Sequence, residues 1–341
     1  MARWARATVI TLIAVVILVA GGLTATVGWR PLIGPRARPL ADHPVDRTPT
    51  RLERGRYLVE AVTGCLFCHS DNDKSRHLVP VGGTEGAGRN MALEDAPFLS
   101  SPNITPDAET GAGHWSDDAL ARAIREGIGH DGRALHPLMP YPNYRQMADE
   151  DLAAVIVYVR ALKPVRRATA PPALPFPMNR LINDVPQPIE APVRSPDPGD
   201  LVARGRYLTT IASCADCHTP HDAHGRSMTD LAFAGGQATQ GSTRRVAAAN
   251  LTPDPSGIPY YDEHLFVDLM RTGFVGAREV TDAMPYSLYG GMTDDDLRAI
   301  FAFLKTLAPV RHRIDNDLEP TDCPRCGLKH GGGNKNQRPA E

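Results

Sequence analysis

Apolar positions along the chain fall into three patterns. The first is an unbroken run: residues 7–29 carry no charge and centre on the stretch 9–19. At 1.5 Å per residue a helix of this length can cross a hydrocarbon core of about 30 Å. The second is helical spacing. Leu152, Val155, Ile156, Val159 and Leu162 recur at intervals of three and four, as do Leu297, Ile300, Phe301, Leu304 and Leu307. Each set predicts a helix with one buried face, packed against an earlier helix and a flat apolar partner. The third is the absence of period: residues 164–199 hold ten prolines and no apolar rhythm, which predicts an extended, non-helical linker partly wrapped on its neighbours. Residues 31–49 read the same way. Capping signals supply further helices. Thr50-x-x-Glu53 reads as a capping box opening a helix to about Thr63, and Asp200 caps its counterpart. Ser116 and Asp262 start helices that end near Gly127 and Gly273, and Asp149 and Thr293 open the two apolar ones. No stretch alternates with period two, so the expected fold class is all-α. The glycine-rich tail after His330 is expected to be disordered.

Two of these blocks are one block written twice. Gly55-Arg56-Tyr57 recurs as Gly205-Arg206-Tyr207, and Asn103-Ile-Thr-Pro-Asp107 as Asn250-Leu-Thr-Pro-Asp254. Met139-Pro140-Tyr141 recurs as Met284-Pro285-Tyr286, with an offset drifting only from 150 to 145. Duplication of one domain explains this. The expected organisation is a membrane anchor at 1–30, a Pro-rich linker at 31–50, a first domain at 51–164 and a second linker at 165–199. A second domain at 200–312 and a Cys-x-x-Cys element with its tail at 313–341 complete it.

Composition narrows the chemistry. With 42% hydrophobic and 22% charged residues, the chain holds one membrane span at most. Its 37 Lys and Arg nearly balance 39 Asp and Glu, which offers nucleic acid no electrostatic footing. The six cysteines form three C-x-x-C pairs. Two of these, Cys65-x-x-Cys68-His69 and Cys214-x-x-Cys217-His218, read as sites of covalent haem c attachment: two thiols one helical turn apart reach neighbouring haem substituents, and the adjacent imidazole reaches the iron. A four-cysteine zinc site would bring together pairs 145 residues apart in sequence, and a thioredoxin-like pair would need a βαβ context that is missing. The sixth iron ligand should recur in both halves. His77, His114, His130 and His136 have no aligned histidine. Of the aligned methionines, Met147 and Met292 precede helix starts and suit a hydrophobic staple with Leu152 and Leu297. Met139 and Met284 precede prolines, which fix an extended loop able to aim a thioether. They are the expected axial ligands, with His136 the competitor at the first haem. The third pair, Cys323-Pro324-Arg325-Cys326, lacks the following histidine. A local disulfide is its simplest fate, and a metal knuckle of Cys323, Cys326 and His330, with no fourth ligand evident, is the alternative.

On the Gly-Arg-Tyr helix, the C-x-x-C-H, the Asn-x-Thr-Pro-Asp loop, Trp115 and Met-Pro-Tyr, each half resembles a class I cytochrome c domain. The whole resembles the multi-haem cytochrome c subunits of alcohol, gluconate and aldehyde dehydrogenases. The resemblance implies two covalently attached haem c groups, His/Met ligation and electron transfer without substrate turnover. Its partners would be a periplasmic dehydrogenase, a quinol-oxidising complex or a terminal oxidase. Those subunits commonly carry three haems and a C-terminal anchor, whereas two attachment sites and an N-terminal apolar run are present here. Assembly of haem c outside the cytoplasm places the body in the periplasm, although Arg30, Arg36, Arg38 and Arg47 after the run oppose the positive-inside count. The alternative location is soluble periplasm after cleavage of a signal peptide. The alternative function is a haem enzyme such as a di-haem peroxidase, which needs an open iron site and nearby acid/base groups. A redox-sensing or assembly role for the Cys323 to His330 element is the third possibility.

Overall fold

A computed structural model describes residues 2–41, 44–73, 79–91, 99–223, 225–241 and 244–337. His77 and the last four residues of the tail lie outside the described residues. The described chain groups into two compact units. One comprises Met1–Pro44, Trp115–Arg145 and Pro172–Ala191; the other comprises Val45–His114, Gln146–Pro171 and Pro192–Glu341.

In the first unit the apolar run forms the helix Ala2–Ala25. None of its apolar window, Trp4–Ala25, is buried, so this helix is long and apolar enough to cross a membrane, or to serve as a signal sequence. It stops short of Trp29 because Gly28 turns left-handed at φ 72° and its N–H closes on the Leu23 carbonyl at 2.7 Å. The Pro-rich segment that follows is tied down. Arg38 forks onto Asp118 at 2.6 and 2.8 Å and reaches Glu126 at 2.8 Å. Both carboxylates belong to the helix Asp117–Glu126, which Ser116 caps as expected by accepting from the Ala119 N–H. Burial pushes the Asp118 carboxyl up, but the Arg38 guanidinium outweighs it and holds the group below its usual value. The second linker is not purely extended. It makes the turns Met178–Leu181 and Ile182–Asp184, and Arg145 binds its Gln187 and Pro188 carbonyls.

In the second unit the helix Pro49–Tyr57 crosses Asp149–Ala161, and Leu201–Ile211 crosses Asp294–Lys305. The predicted faces are inside: Leu152, Val155, Ile156, Val159 and Leu162, with Leu297, Ile300, Phe301 and Leu304, are all buried, whereas Leu307 lies past the helix end at Lys305 and is only half-buried. Both crossings run through a glycine. A Cβ on Gly55 would sit 2.0 Å from the Ala154 carbonyl oxygen, and one on Gly205 would sit 1.8 Å from that of Ala299. Only a glycine lets two backbones approach so closely.

The first cap differs from expectation. Thr48, not Thr50, accepts from the Arg51 N–H, and Pro49 occupies the first helical position, where its missing N–H costs nothing. The chain then widens into a π-turn at Leu58–Val62. Asp149 is likewise inside its helix. Ala148 precedes it, and its N–H is taken by the Tyr207 hydroxyl at 3.1 Å.

That tyrosine belongs to a reciprocal pair of contacts. Asp151 accepts from Arg54 of its own repeat at 2.8 and 2.9 Å and from Tyr207 of the other at 2.7 Å. Asp296 accepts from Arg204 of its own repeat at 2.7 Å and from Tyr57 of the other. Both aspartates are buried. Burial, and then the facing carboxylate, push the Tyr57 phenol up to about 12.

The all-α expectation needs correction. The fold is mostly helical, but the described residues also form four two-stranded antiparallel ribbons. These are Arg89–Asn90 with Ser100–Ser101, Ala238–Gln240 with Arg245–Ala247, Phe274–Val275 with Arg278–Glu279, and Pro320–Asp322 with Lys329–Gly331. Strands of two or three residues are too short to show alternation. The tail after His330 is also ordered as far as residue 337. Gly331 packs against the Asp315 carbonyl, and the Asn336 side chain closes both ways on the Arg313 backbone at 2.7 and 2.9 Å.

Candidate functional site

The two C-x-x-C-H segments form matching single helices, Cys65–His69 and Cys214–His218. Each begins from a left-handed residue, Gly64 at φ 62° and Ser213 at φ 59°, which breaks the preceding helix and starts a new one in another direction. The four cysteines face different surroundings: Cys65, Cys68 and Cys214 are half-buried and Cys217 is exposed. Burial pushes Cys68 up to about 11 and Cys214 up to about 12.

The histidines are more tightly placed. His69 and His218 are both buried. The Nδ1 of His69 lies 2.8 Å from the Pro102 carbonyl, and that of His218 lies 2.8 Å from the Ala249 carbonyl. A carbonyl can only accept, so the proton sits on Nδ1 and the Nε2 lone pair is free. Burial lowers the basicity of both rings and keeps them neutral. A neutral, oriented imidazole with an open Nε2 is what an axial ligand requires. The residues therefore fit haem c by an observation independent of the motif.

The carbonyls that orient the histidines come one residue before Asn103 and Asn250. Those asparagines, which the sequence marks only by their recurrence, have a larger role. The Asn103 Oδ1 accepts from the Thr105 N–H and hydroxyl at 3.0 and 2.7 Å, while its Nδ2 donates to the Val165 and Arg167 carbonyls at 2.7 and 3.1 Å. Asn250 repeats this with Thr252, Val310 and His312 at 2.8 to 3.2 Å, so each bond recurs at the aligned position. Each asparagine pins the loop to the chain leaving the final helix, and so fixes the carbonyl that holds the histidine. The recurrence of Asn-x-Thr-Pro-Asp was the available signal. Asn103→Ala strands buried carbonyls and an amide, each costing about 1–3 kcal/mol, so a loss of several kcal/mol in chemical denaturation is expected; a loss under about 1 kcal/mol would remove the asparagine from this role.

The methionine loops also match. The Met139 N–H closes on the His136 carbonyl at 3.0 Å, and the Met139 carbonyl accepts from the Tyr141 N–H at 2.7 Å. The Met284 N–H closes on the Thr281 carbonyl at 3.1 Å, and its carbonyl accepts from Tyr286 at 2.7 Å. The prolines between, at φ −78°, ψ 44° and φ −76°, ψ 56°, centre inverse γ-turns. Both methionines are half-buried, whereas Met147 and Met292 are buried in the core, as a packing role requires. The tyrosine of each loop lies flat on the glycine that ends the preceding helix. A Cβ on Gly127 would meet the Tyr141 ring at 2.4 Å, and one on Gly273 the Tyr286 ring at 2.7 Å. His136 is occupied at Nδ1 by the Leu138 N–H at 3.1 Å. Trp115 stacks on His130 at 4.3 Å between centroids.

At the third pair the structure adds a residue that spacing did not suggest. His312 joins Cys323, Cys326 and His330 in one buried cluster.

Residues 52–163 match the family model described as Cytochrome c, and this stretch is a cytochrome c domain, which implies covalently bound haem c. The chain is similar to a nicotinate dehydrogenase subunit of Pseudomonas putida, 32% identical over 91% of this chain and 26% of that protein. It is similar to the gluconate 2-dehydrogenase cytochrome c subunit of Pantoea cypripedii, 32% identical over 75% of this chain and 59% of that one. It is also similar to a diheme cytochrome c-type protein of Cereibacter sphaeroides, 29% identical over 72% of this chain and 83% of that one. The chain thus spans about a quarter of the first and less than two thirds of the second.

Proposed function

We propose that this chain is a two-haem electron-transfer cytochrome built from tandem domains at 51–164 and 200–312. Cys65 and Cys68 hold one haem c covalently and Cys214 and Cys217 the other. His69 with Met139, and His218 with Met284, are the axial pairs. The observation that carries the reading is the doubled histidine geometry: two buried imidazoles, each with Nδ1 held by the carbonyl ahead of an asparagine and Nε2 left open. When bound, each haem supplies a one-electron iron couple, and His/Met ligation raises its potential relative to bis-histidine ligation. The protein's part is to hold the histidine of each pair on a short helix and the methionine in a fixed turn, so that little moves on electron exchange, and to keep the iron closed to substrate. The relatives' names point to a dehydrogenase as donor, with a quinol-oxidising complex as the alternative and a terminal oxidase downstream. The helix Ala2–Ala25 serves as a membrane anchor for a periplasmic body, which raises its local concentration near membrane partners.

Intact mass after acid–acetone extraction tests the core of this reading. The wild-type chain should retain two haems, and the pair Cys214→Ala/Cys217→Ala should retain one. A wild-type chain carrying one haem or none overturns it. Copurification from native membranes then identifies the donor: a dehydrogenase travelling with the chain is expected, and its absence in favour of a peroxide-consuming activity would reverse the relay assignment.

A further inference from the structure

The C-terminal segment contains a four-residue cluster outside both haem sites. The nitrogen and sulfur ligand atoms of His312, Cys323, Cys326 and His330 all lie within 4.8 Å of one another, and all four residues are buried. The His312 Nε2 is 3.4 Å from the Cys323 Sγ, and the His330 Nε2 is 3.6 Å from the Cys326 Sγ. In a tetrahedral zinc site with Zn–S near 2.3 Å and Zn–N near 2.0 Å, the nitrogen–sulfur edge is about 3.5 Å. Both measured edges meet that value.

The surroundings are those of a ligand set. The Nδ1 of His312 is held by the Ala234 carbonyl at 3.0 Å, and that of His330 by the Gly331 carbonyl at 3.1 Å. Both rings therefore turn Nε2 toward the sulfurs, the outer-shell arrangement that orients a metal-binding imidazole. The cysteines sit on the turn of the ribbon Pro320–Asp322 with Lys329–Gly331. Left-handed Gly327 closes that turn on the Cys323 carbonyl at 2.9 Å. Leu231, Ala234, Met228, Val310 and Leu328 wrap the sulfurs in apolar side chains. Two sulfurs and two imidazoles, buried and with no carboxylate among them, select a borderline-soft ion over calcium or magnesium.

We infer that His312, Cys323, Cys326 and His330 bind a structural zinc ion. Binding displaces the two thiol protons, and the two thiolates balance the charge of the ion. The repeat shows what the ion does. His312 aligns with Arg167. The Arg167 N–H bonds Thr110, its carbonyl receives Asn103, and its guanidinium reaches the Gly88 carbonyl at 3.1 Å and Asp71 at 2.9 Å. The His312 N–H bonds Ser256, its carbonyl receives Asn250, and its ring reaches Ala234. Gly88 and Gly235, the residue after Ala234, each donate to the carbonyl of the haem-site histidine, His69 or His218, at 2.8 Å. In the first half an arginine fork braces this loop. In the second half the zinc-held imidazole does.

The exported, haem-loaded chain, washed with a mild chelator and digested for elemental analysis, tests this. One zinc per chain is expected beside the iron, and X-ray absorption at the zinc edge should give two sulfurs and two nitrogens. His312→Ala should lose the zinc and His312→Cys should keep it. A wild-type chain with no zinc above background, or a non-reducing peptide map joining Cys323 to Cys326, overturns the site, as does full zinc in the pair Cys323→Ser/Cys326→Ser. The wild-type measurements decide even if a variant fails to fold. Iron in the same digest reports separately on the haem reading.

Discussion

Gly205→Ala is expected to destabilise the protein by at least about 3 kcal/mol, or to prevent folding outright. Helix propensity alone argues the other way, since alanine in a helix interior is favoured over glycine by about 1 kcal/mol. The contact decides which effect wins. The new methyl carbon would lie 1.8 Å from the Ala299 carbonyl oxygen, 2.4 Å from its carbon and 2.9 Å from the Phe303 Cβ. These are backbone and Cβ atoms of the packed helix Asp294–Lys305, and no rotamer change can move them. The two helices must separate, exposing Leu297, Ile300 and Leu304, which are now buried. Gly55→Ala should behave alike, against the Ala154 carbonyl at 2.0 Å. Urea unfolding followed by circular dichroism gives the sign at once: a Gly205→Ala protein as stable as wild type would refute the crossing.

The second large effect is on the proposed ligands. Met284→Ala should open one iron of two to cyanide and carbon monoxide and lower its potential, leaving the other haem unaltered. The sulfur-to-iron charge-transfer band of the oxidised protein should fall by about half. Met139→Ala should do the same to the other haem. The turn itself survives these changes, because it is built from backbone hydrogen bonds and the fixed φ of Pro285. Loss of both haem signals would show that the sites are not separate. An unaltered band in both variants would exclude Met139 and Met284 as its source, whereas a wild-type band of half the expected strength would return His136 to consideration at the first site.

What was legible in the sequence is what is local. Asp200, Ser116, Asp262 and Thr293 cap their helices as read, because a cap is settled within four residues. Thr50 failed because Thr48 offered a better start ahead of Pro49. The C-x-x-C-H helices and the Met-Pro-Tyr loops are equally short-range and could be placed by repetition. The haem-site geometry around the asparagines was not legible, since Asn103 acts on Val165 and Arg167 some sixty residues away. His312 escaped for a similar reason: it lies eleven residues ahead of Cys323 on the chain leaving the last helix, outside the usual ligand spacing. Arg38 looked like a charge flanking a membrane run, and only the fold shows it clasped by Asp118 and Glu126.

The crossed tyrosines make the two halves self-complementary. Tyr57 reaches Asp296, and Tyr207 reaches Asp151, so each copy presents to its sister the patch that its sister presents back. A surface that answers itself is the hallmark of an isologous homodimer. Each half carries both the tyrosine donor and the aspartate acceptor, so the same two contacts would serve two separate copies of the half.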